Sequence, residues 1–175
     1  MRTITTHTTV YKFDELTEEG KRKALENLYD INVDFDWWEN TYTDAETIGC
    51  KITEFDLDLD RGSYCRLTCP DAHETARLIV ENHGEMCDTR KLADEYLKDH
   101  DKIIDEAEKD EDGELSDEYA VDKLLDEIEK EFARALGEEY LSILRQEYEY
   151  LTSEEAIKEA IETNDYDFTN EGRIF

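Results

Sequence analysis

Proline occurs once in 175 residues, at Pro70, and tryptophan and methionine twice each. With one proline and no glycine- or serine-rich stretch, the chain has no evident linker, and its acidity does not mark it as disordered. Bases are scarce. Lysine and arginine number 20 against 49 aspartates and glutamates, a formal net charge of −29. That imbalance argues against nucleic acid, anionic membrane and polyphosphate as direct partners and in favour of basic proteins. No apolar run approaches the ~20 residues of a membrane span. The opening "MRTITTHTTVYKF" lacks the apolar core of a signal peptide. The expectation is therefore a cytoplasmic protein whose four cysteines are thiols rather than disulfides.

Apolar residues make up 38% of the chain, enough for a modest core. Residues 3–13, rich in threonine with Ile4, Val10 and Tyr11, read as a strand. Thr17 is a good N-cap for a helix carrying Ala24, Leu25 and Leu28. Trp37, Trp38, Tyr42, Ala45 and Ile48 suggest a second helix, stopped by Gly49. Phe55, Leu57 and Leu59 alternate with Asp56, Asp58 and Asp60, and Arg61-Gly62-Ser63 turns this strand into another, 64–69. Pro70 and Asp71 open a helix to about Asn82, and a longer one runs over 87–109. Leu124, Leu125, Ile128, Phe132 and Leu136 recur at helical spacing, with a break expected at Gly137. Thr152 or Ser153 caps a last helix to about Thr163, and the tail suggests an edge strand. The fold class is α+β: a small antiparallel sheet of the N-terminal strand and the 50–69 hairpin, packed by helices, with a mostly helical acidic C-terminal half. The domain reading is 1–100, an acidic helical region 101–163, and a strand or tail 164–175.

"EKDEDGELSDEY", Glu108 to Tyr119, looks like a calcium loop at its centre. With Gly113 at the turn position, Asp110 and Asp112 fall where ligands belong. Both ends fail: Glu108 crowds the first position, and Tyr119 cannot give the bidentate carboxylate required at the last. An acidic turn between helices is the better reading. Asp56, Asp58 and Asp60 share one face of a strand, too far apart for one ion. Cys65, Cys69, His73, His83 and Cys87 lie close in sequence but fit no zinc spacing, and small buried thiols are the plainer use. Trp37 and Trp38 point to different sides of a helix, so one suits the core and the other, partly exposed, could anchor an interface, although core use of both is the plainer reading. No phosphate-binding glycine loop and no nucleophile elbow is present. No catalytic residue, metal site or cofactor is expected.

The segments "YKFDELTEEGKRKALENLYDINVDFDWW", "DRGSYC" and "ENHGEMCDT" resemble a group of small acidic proteins encoded by bacteriophages and prophages. The likeness covers roughly residues 11–100. It implies a setting inside a bacterial host cell and an accessory role of the anti-CRISPR or antirestriction kind. It carries over no catalytic residue.

Between Asp101 and Glu131 stand fifteen acids and four lysines, a local net charge of 4 − 15 = −11. The leading expectation is a non-enzymatic inhibitor that mimics nucleic acid and binds a basic nucleic-acid-binding protein such as a host defence nuclease. The residues expected to meet it are Asp105, Glu106, Glu108, Asp110, Asp112, Asp117, Asp122, Asp126, Glu127 and Glu129. The alternatives are an adaptor or antitoxin-like module using an apolar patch near Trp37 or Trp38, and a metal-dependent enzyme. Long helices rich in Leu, Phe and Tyr also allow a homodimer.

Overall fold

The structure is a computed structural model that describes residues 1–5, 7–58, 62–107 and 117–175. Six α-helices and one hairpin are described: α1 (Glu18–Asn27), α2 (Glu39–Thr47), β1 (Lys51–Asp56), β2 (Tyr64–Thr68), α3 (Ala72–Asn82), α4 (Asp88–Glu106), α5 (Glu118–Leu151) and α6 (Glu154–Thr163). The class is α+β, as the hydrophobic periodicity indicates. The helix starts follow local chemistry. Thr17 Oγ1 accepts from Gly20 N–H at 3.2 Å, Asp71 Oδ1 from Glu74 N–H at 2.9 Å, and Ser153 Oγ from Ala156 N–H at 3.3 Å. Each satisfies one of the orphan donors in a first helical turn. At the other end of α2, Gly49 takes φ 75°, a left-handed stop that disfavours any side chain.

The contacts divide the chain into two compact units, 1–37 with 146–175, and 38–145. These limits differ from the sequence boundaries at 100 and 163. In the first unit Phe13, Leu16, Ala24, Ile157, Ile161 and Phe168 form the core. Gly172, at φ 77°, lies so close to α1 that an added Cβ would stand 2.3 Å from the Gly20 carbonyl oxygen. In the second unit α2, the hairpin, α3, α4 and α5 enclose Ala45, Ile48, Ile52, Ile79, Tyr96, Phe132, Leu136 and Tyr140. Tyr96 of α4 stacks on Phe132 of α5, ring centroids 4.7 Å apart.

The sheet differs from expectation. It has two strands, β1 antiparallel to β2, and the described residues before Tyr11 form no strand. Threonine favours extended backbone, but this stretch has too few apolar residues to cover a core face, so it stays exposed. Tyr11 makes one isolated bridge to Phe168, and Phe168 another to Ile174, in place of a tail strand. A bulge at Thr53 resets the alternation of β1. It brings Ile52 and Phe55 to the same side, where Phe55 meets Trp38 and Tyr42 at ring distances of 5.6 and 6.3 Å.

Gly137 does not break α5, which runs unbroken through it. The glycine instead allows close approach, since a Cβ there would lie 3.3 Å from the Cys65 carbonyl oxygen of β2. The thiol reading also needs correction, because Cys50 and Cys69 are joined. The register explains why. Lys51 pairs with Thr68, so the next residues outward face each other, and their Cα atoms are 4.4 Å apart. Cys65 and Cys87 are free, and burial pushes the Cys65 thiol up to about 11.

The disulfide closes a loop across the base of the hairpin, with a sequence separation of 19. Chain-entropy arguments give such a loop roughly 3 kcal/mol of stability. Urea unfolding of Cys50→Ser/Cys69→Ser, or of the reduced protein, is expected to show a loss of that order.

Candidate functional site

Helix α5 buries one stripe of its apolar residues. Val121, Phe132, Leu136, Tyr140 and Leu144 are buried, with Leu125 and Ile128 half-buried between them. One residue beyond each member of the first part of this stripe lies an acid: Asp122, Asp126 and Glu129, with Glu118 a turn earlier. All four are exposed. Their spacings of four, four and three residues put them in one column along the helix flank. The column spans about 16 Å, with neighbours roughly 5–6 Å apart. One charge per ~5.5 Å of axis compares with one per ~3.4 Å along a single strand of duplex DNA. The column is thus about two thirds as dense as a strand of phosphates.

The other expected residues divide as follows. Asp105 and Glu106 are exposed in the last turn of α4. Asp117 is exposed ahead of α5, where its Oδ1 accepts from Ala120 N–H at 3.0 Å. Glu127 lies on the opposite flank to the column and faces Lys123 at 4.0 Å. Glu108, Asp110 and Asp112 lie outside the described residues, as do Asp60 and most of the calcium-like loop. Within the column Asp126 is paired with Lys130. Arg134 holds Glu131 and Glu138 on the other flank. Asp126 and Glu129 share a depression of about 390 Å³ with Asp71 at the start of α3. Close by, Tyr96 has its hydroxyl buried and pushed up to about 12, by burial first and then by Glu129 and Asp71.

Several of these acids stand where they cost stability. A helix C-terminus carries partial negative charge, and Asp105 and Glu106 sit against it with no base in that turn. Asp101 and Asp105, and Asp122 and Asp126, are like charges at i,i+4, a destabilising pairing.

The cysteine and histidine group separates. Cys69 is bonded to Cys50, His73 packs against His100 with the rings tilted and centroids 4.5 Å apart, and His83 Nδ1 is 2.7 Å from Thr89 Oγ1. Among the described residues no three His, Cys, Asp or Glu side chains are arranged to hold a metal ion. Asp56 Oδ1 is taken by the Asp58 backbone N–H at 2.8 Å. Trp37 is buried, 8% exposed, against Tyr148, and Trp38 packs on Phe55.

Sequence reasoning missed one polar network in the second unit. Buried Tyr140 donates to Asp44 Oδ2 at 2.8 Å, and His83 Nε2 lies 3.6 Å from Asp44 Oδ1. The partners are 39 and 96 residues from Asp44 in the chain, so no local pattern could have joined them. The one signal available was a tyrosine on the apolar stripe of α5, whose hydroxyl must find a partner when buried.

No protein-family model, curated protein or solved structure matches this chain. Among the described residues no helix is long and apolar enough to cross a membrane.

Asp105→Asn/Glu106→Gln is expected to raise the thermal midpoint by about 1–3 °C at low ionic strength. The gain should disappear in about 0.5 M salt, where the dipole and neighbouring charges are screened. Glu139 gives a test with a defined sign. Burial, then Asp88, raises its carboxyl above the usual range. The folded state therefore binds this proton more tightly than the unfolded chain does. The contribution is favourable below the unfolded value and is lost as pH rises through the folded one. Glu139→Gln should accordingly stabilise the protein near neutral pH and leave it unchanged well below the carboxylate range, as read by chemical unfolding.

Proposed function

We propose that this protein inhibits a nucleic-acid-binding protein by presenting carboxylates where that protein takes phosphates. The observation that carries the reading is the exposed column Glu118–Asp122–Asp126–Glu129, together with Asp105 and Glu106 at a helix end where acids cost stability. A solvated surface selected only for solubility has no reason to concentrate charge at a helix C-terminus, since other exposed positions would serve as well at lower cost. The resemblance to small acidic phage proteins supplies the setting. The partner is then a basic host defence nuclease, and the mode is of the anti-CRISPR or antirestriction kind. For the adaptor reading, Trp37 is buried against Tyr148, whereas Trp38 packs on Phe55 and is only half-buried. Further support for it comes from exposed apolar side chains, among them Phe35 near the two tryptophans in sequence and Tyr119 and Leu124 beside the acidic column.

The test is capture from bacterial lysate at low salt, followed by elution in a salt gradient and competition with duplex DNA. Mimicry predicts release well below 1 M sodium chloride, displacement by DNA, and loss of capture when Asp105, Asp122, Asp126 and Glu129 are all changed to lysine. A complex that survives both molar salt and the fourfold reversal is held by apolar contact, and the reading fails.

A further inference from the structure

A cleft of about 620 Å³ opens in the second unit between α2, the α3–α4 turn and α5. Asp44 lies in its wall, and Glu139 of α5 and Asp88 of α4 also line it. These carboxylates are not equivalent. Asp88 is paired with Lys91 at 2.5 Å. Glu139 is half-buried and makes no ion pair among those described. Asp44 is held from behind by the buried Tyr140 hydroxyl on Oδ2, which leaves Oδ1 toward His83.

His83 sets this apart from a cluster of surface acids. Its side chain is 10% exposed, and Nδ1 is hydrogen-bonded to Thr89 Oγ1 at 2.7 Å. Nε2 is covered from water and has no hydrogen-bond partner among the described residues. The 3.6 Å to Asp44 Oδ1 is beyond hydrogen-bonding reach. A buried nitrogen in this condition costs free energy until something bonds to it. The Thr89 contact suits either tautomer; in the one whose Nδ1–H donates to Thr89 Oγ1, Nε2 is an acceptor. The cleft then offers acceptors alone at this point: Asp44 Oδ1, His83 Nε2 and the Glu139 carboxylate. Met86 and Ile143 add apolar lining.

We propose that the cleft is the receptor for one arginine side chain of the basic partner, with Asp44 and Glu139 taking the guanidinium and His83 Nε2 completing the acceptor set. The inference rests on the reading of a basic partner and names the group that anchors it. A guanidinium carries five N–H donors in a rigid planar fork and accepts nothing, which matches a wall made of acceptors. Its propyl stem suits Met86 and Ile143. Lysine has one compact, strongly hydrated charge and reaches fewer of these acceptors at once. The raised carboxyl of Glu139 is consistent with a site built to meet a cation, since the arriving charge lowers it again.

The test is calorimetric and NMR titration of the intact protein with an acetylated, amidated Gly-Arg-Gly peptide at about 0.15 M salt. Matched arms use Gly-Lys-Gly and free methylguanidinium. Saturable binding is expected, with amide shifts centred on Asn40, Asn82 and His83. The lysine peptide should bind several-fold more weakly. Asp44→Asn is expected to weaken the arginine peptide by about tenfold or more. Glu139→Gln should weaken it less while leaving the protein folded and more stable. Glu155→Gln, an exposed acid on α6, serves as the control for bulk charge and should leave binding unchanged. Equal loss in Glu155→Gln and Asp44→Asn, no preference over lysine, or no saturation would overturn the inference. The acidic column is judged separately by the salt gradient, so failure of the cleft and failure of mimicry are distinguishable.

Discussion

Repulsion among carboxylates is the constraint that the rest of this structure answers. A formal charge of −29 on 175 residues works against any compact state. The helices answer it locally, with bases placed one turn from acids: Lys23 with Glu19, Arg22 with Glu26, Lys130 with Asp126, and Arg134 between Glu131 and Glu138. Such exposed pairs contribute little each, so cohesion falls to apolar burial and one covalent link. In the second unit the stripe of α5 meets Tyr96 and the hairpin, and the bond between Cys50 and Cys69 closes the hairpin base. Glu118, Asp122 and Glu129 on α5 and Asp105 and Glu106 at the end of α4, which make no ion pair among those described, are where repulsion is left standing.

Legibility followed the range of the interaction involved. Features set within four residues were readable: the caps at Thr17, Asp71 and Ser153, the stop at Gly49, the hairpin and the apolar stripe of α5. Features set by tertiary approach were not. Gly137 looked like a helix stop because glycine is a poor helix former. It stands inside α5 where β2 passes so close that a Cβ would lie 3.3 Å from the Cys65 carbonyl oxygen. Cys50 and Cys69 looked like thiols because the expectation rested on compartment alone. Knowing that Lys51 pairs with Thr68 would have placed them face to face. The N-terminal threonines showed strand propensity with no partner strand to use it.

The acidic surface was legible as composition but not as arrangement. Counting charges between Asp101 and Glu131 treats all of them alike. The helix phase sorts them, placing Asp122, Asp126 and Glu129 in one column and Glu127 and Glu131 among bases on the other flank. Mimicry depends on this sorting. A nucleic-acid-binding groove reads a line of negative charge at short intervals, and a mixed flank presents alternating sign instead. A substitution on the neutralised flank and one in the column therefore differ in kind although both remove one carboxylate.

On the proposed reading the column and the cleft would take cations by different physics, and a basic partner would use both. Carboxylates in the column remain hydrated, so their attraction is long-ranged, sensitive to salt and indifferent to whether lysine or arginine arrives. Asp44 is half-exposed, but its Oδ2 is held by a buried tyrosine and its Oδ1 faces a buried imidazole, so the proposed cleft would favour donors in a fixed plane. The first property speeds encounter, and the second selects what stays bound. A highly acidic protein that had only the column would gather every basic protein in its surroundings. The arginine site proposed in the cleft between α2, the α3–α4 turn and α5 would give such a surface a means of choosing among them.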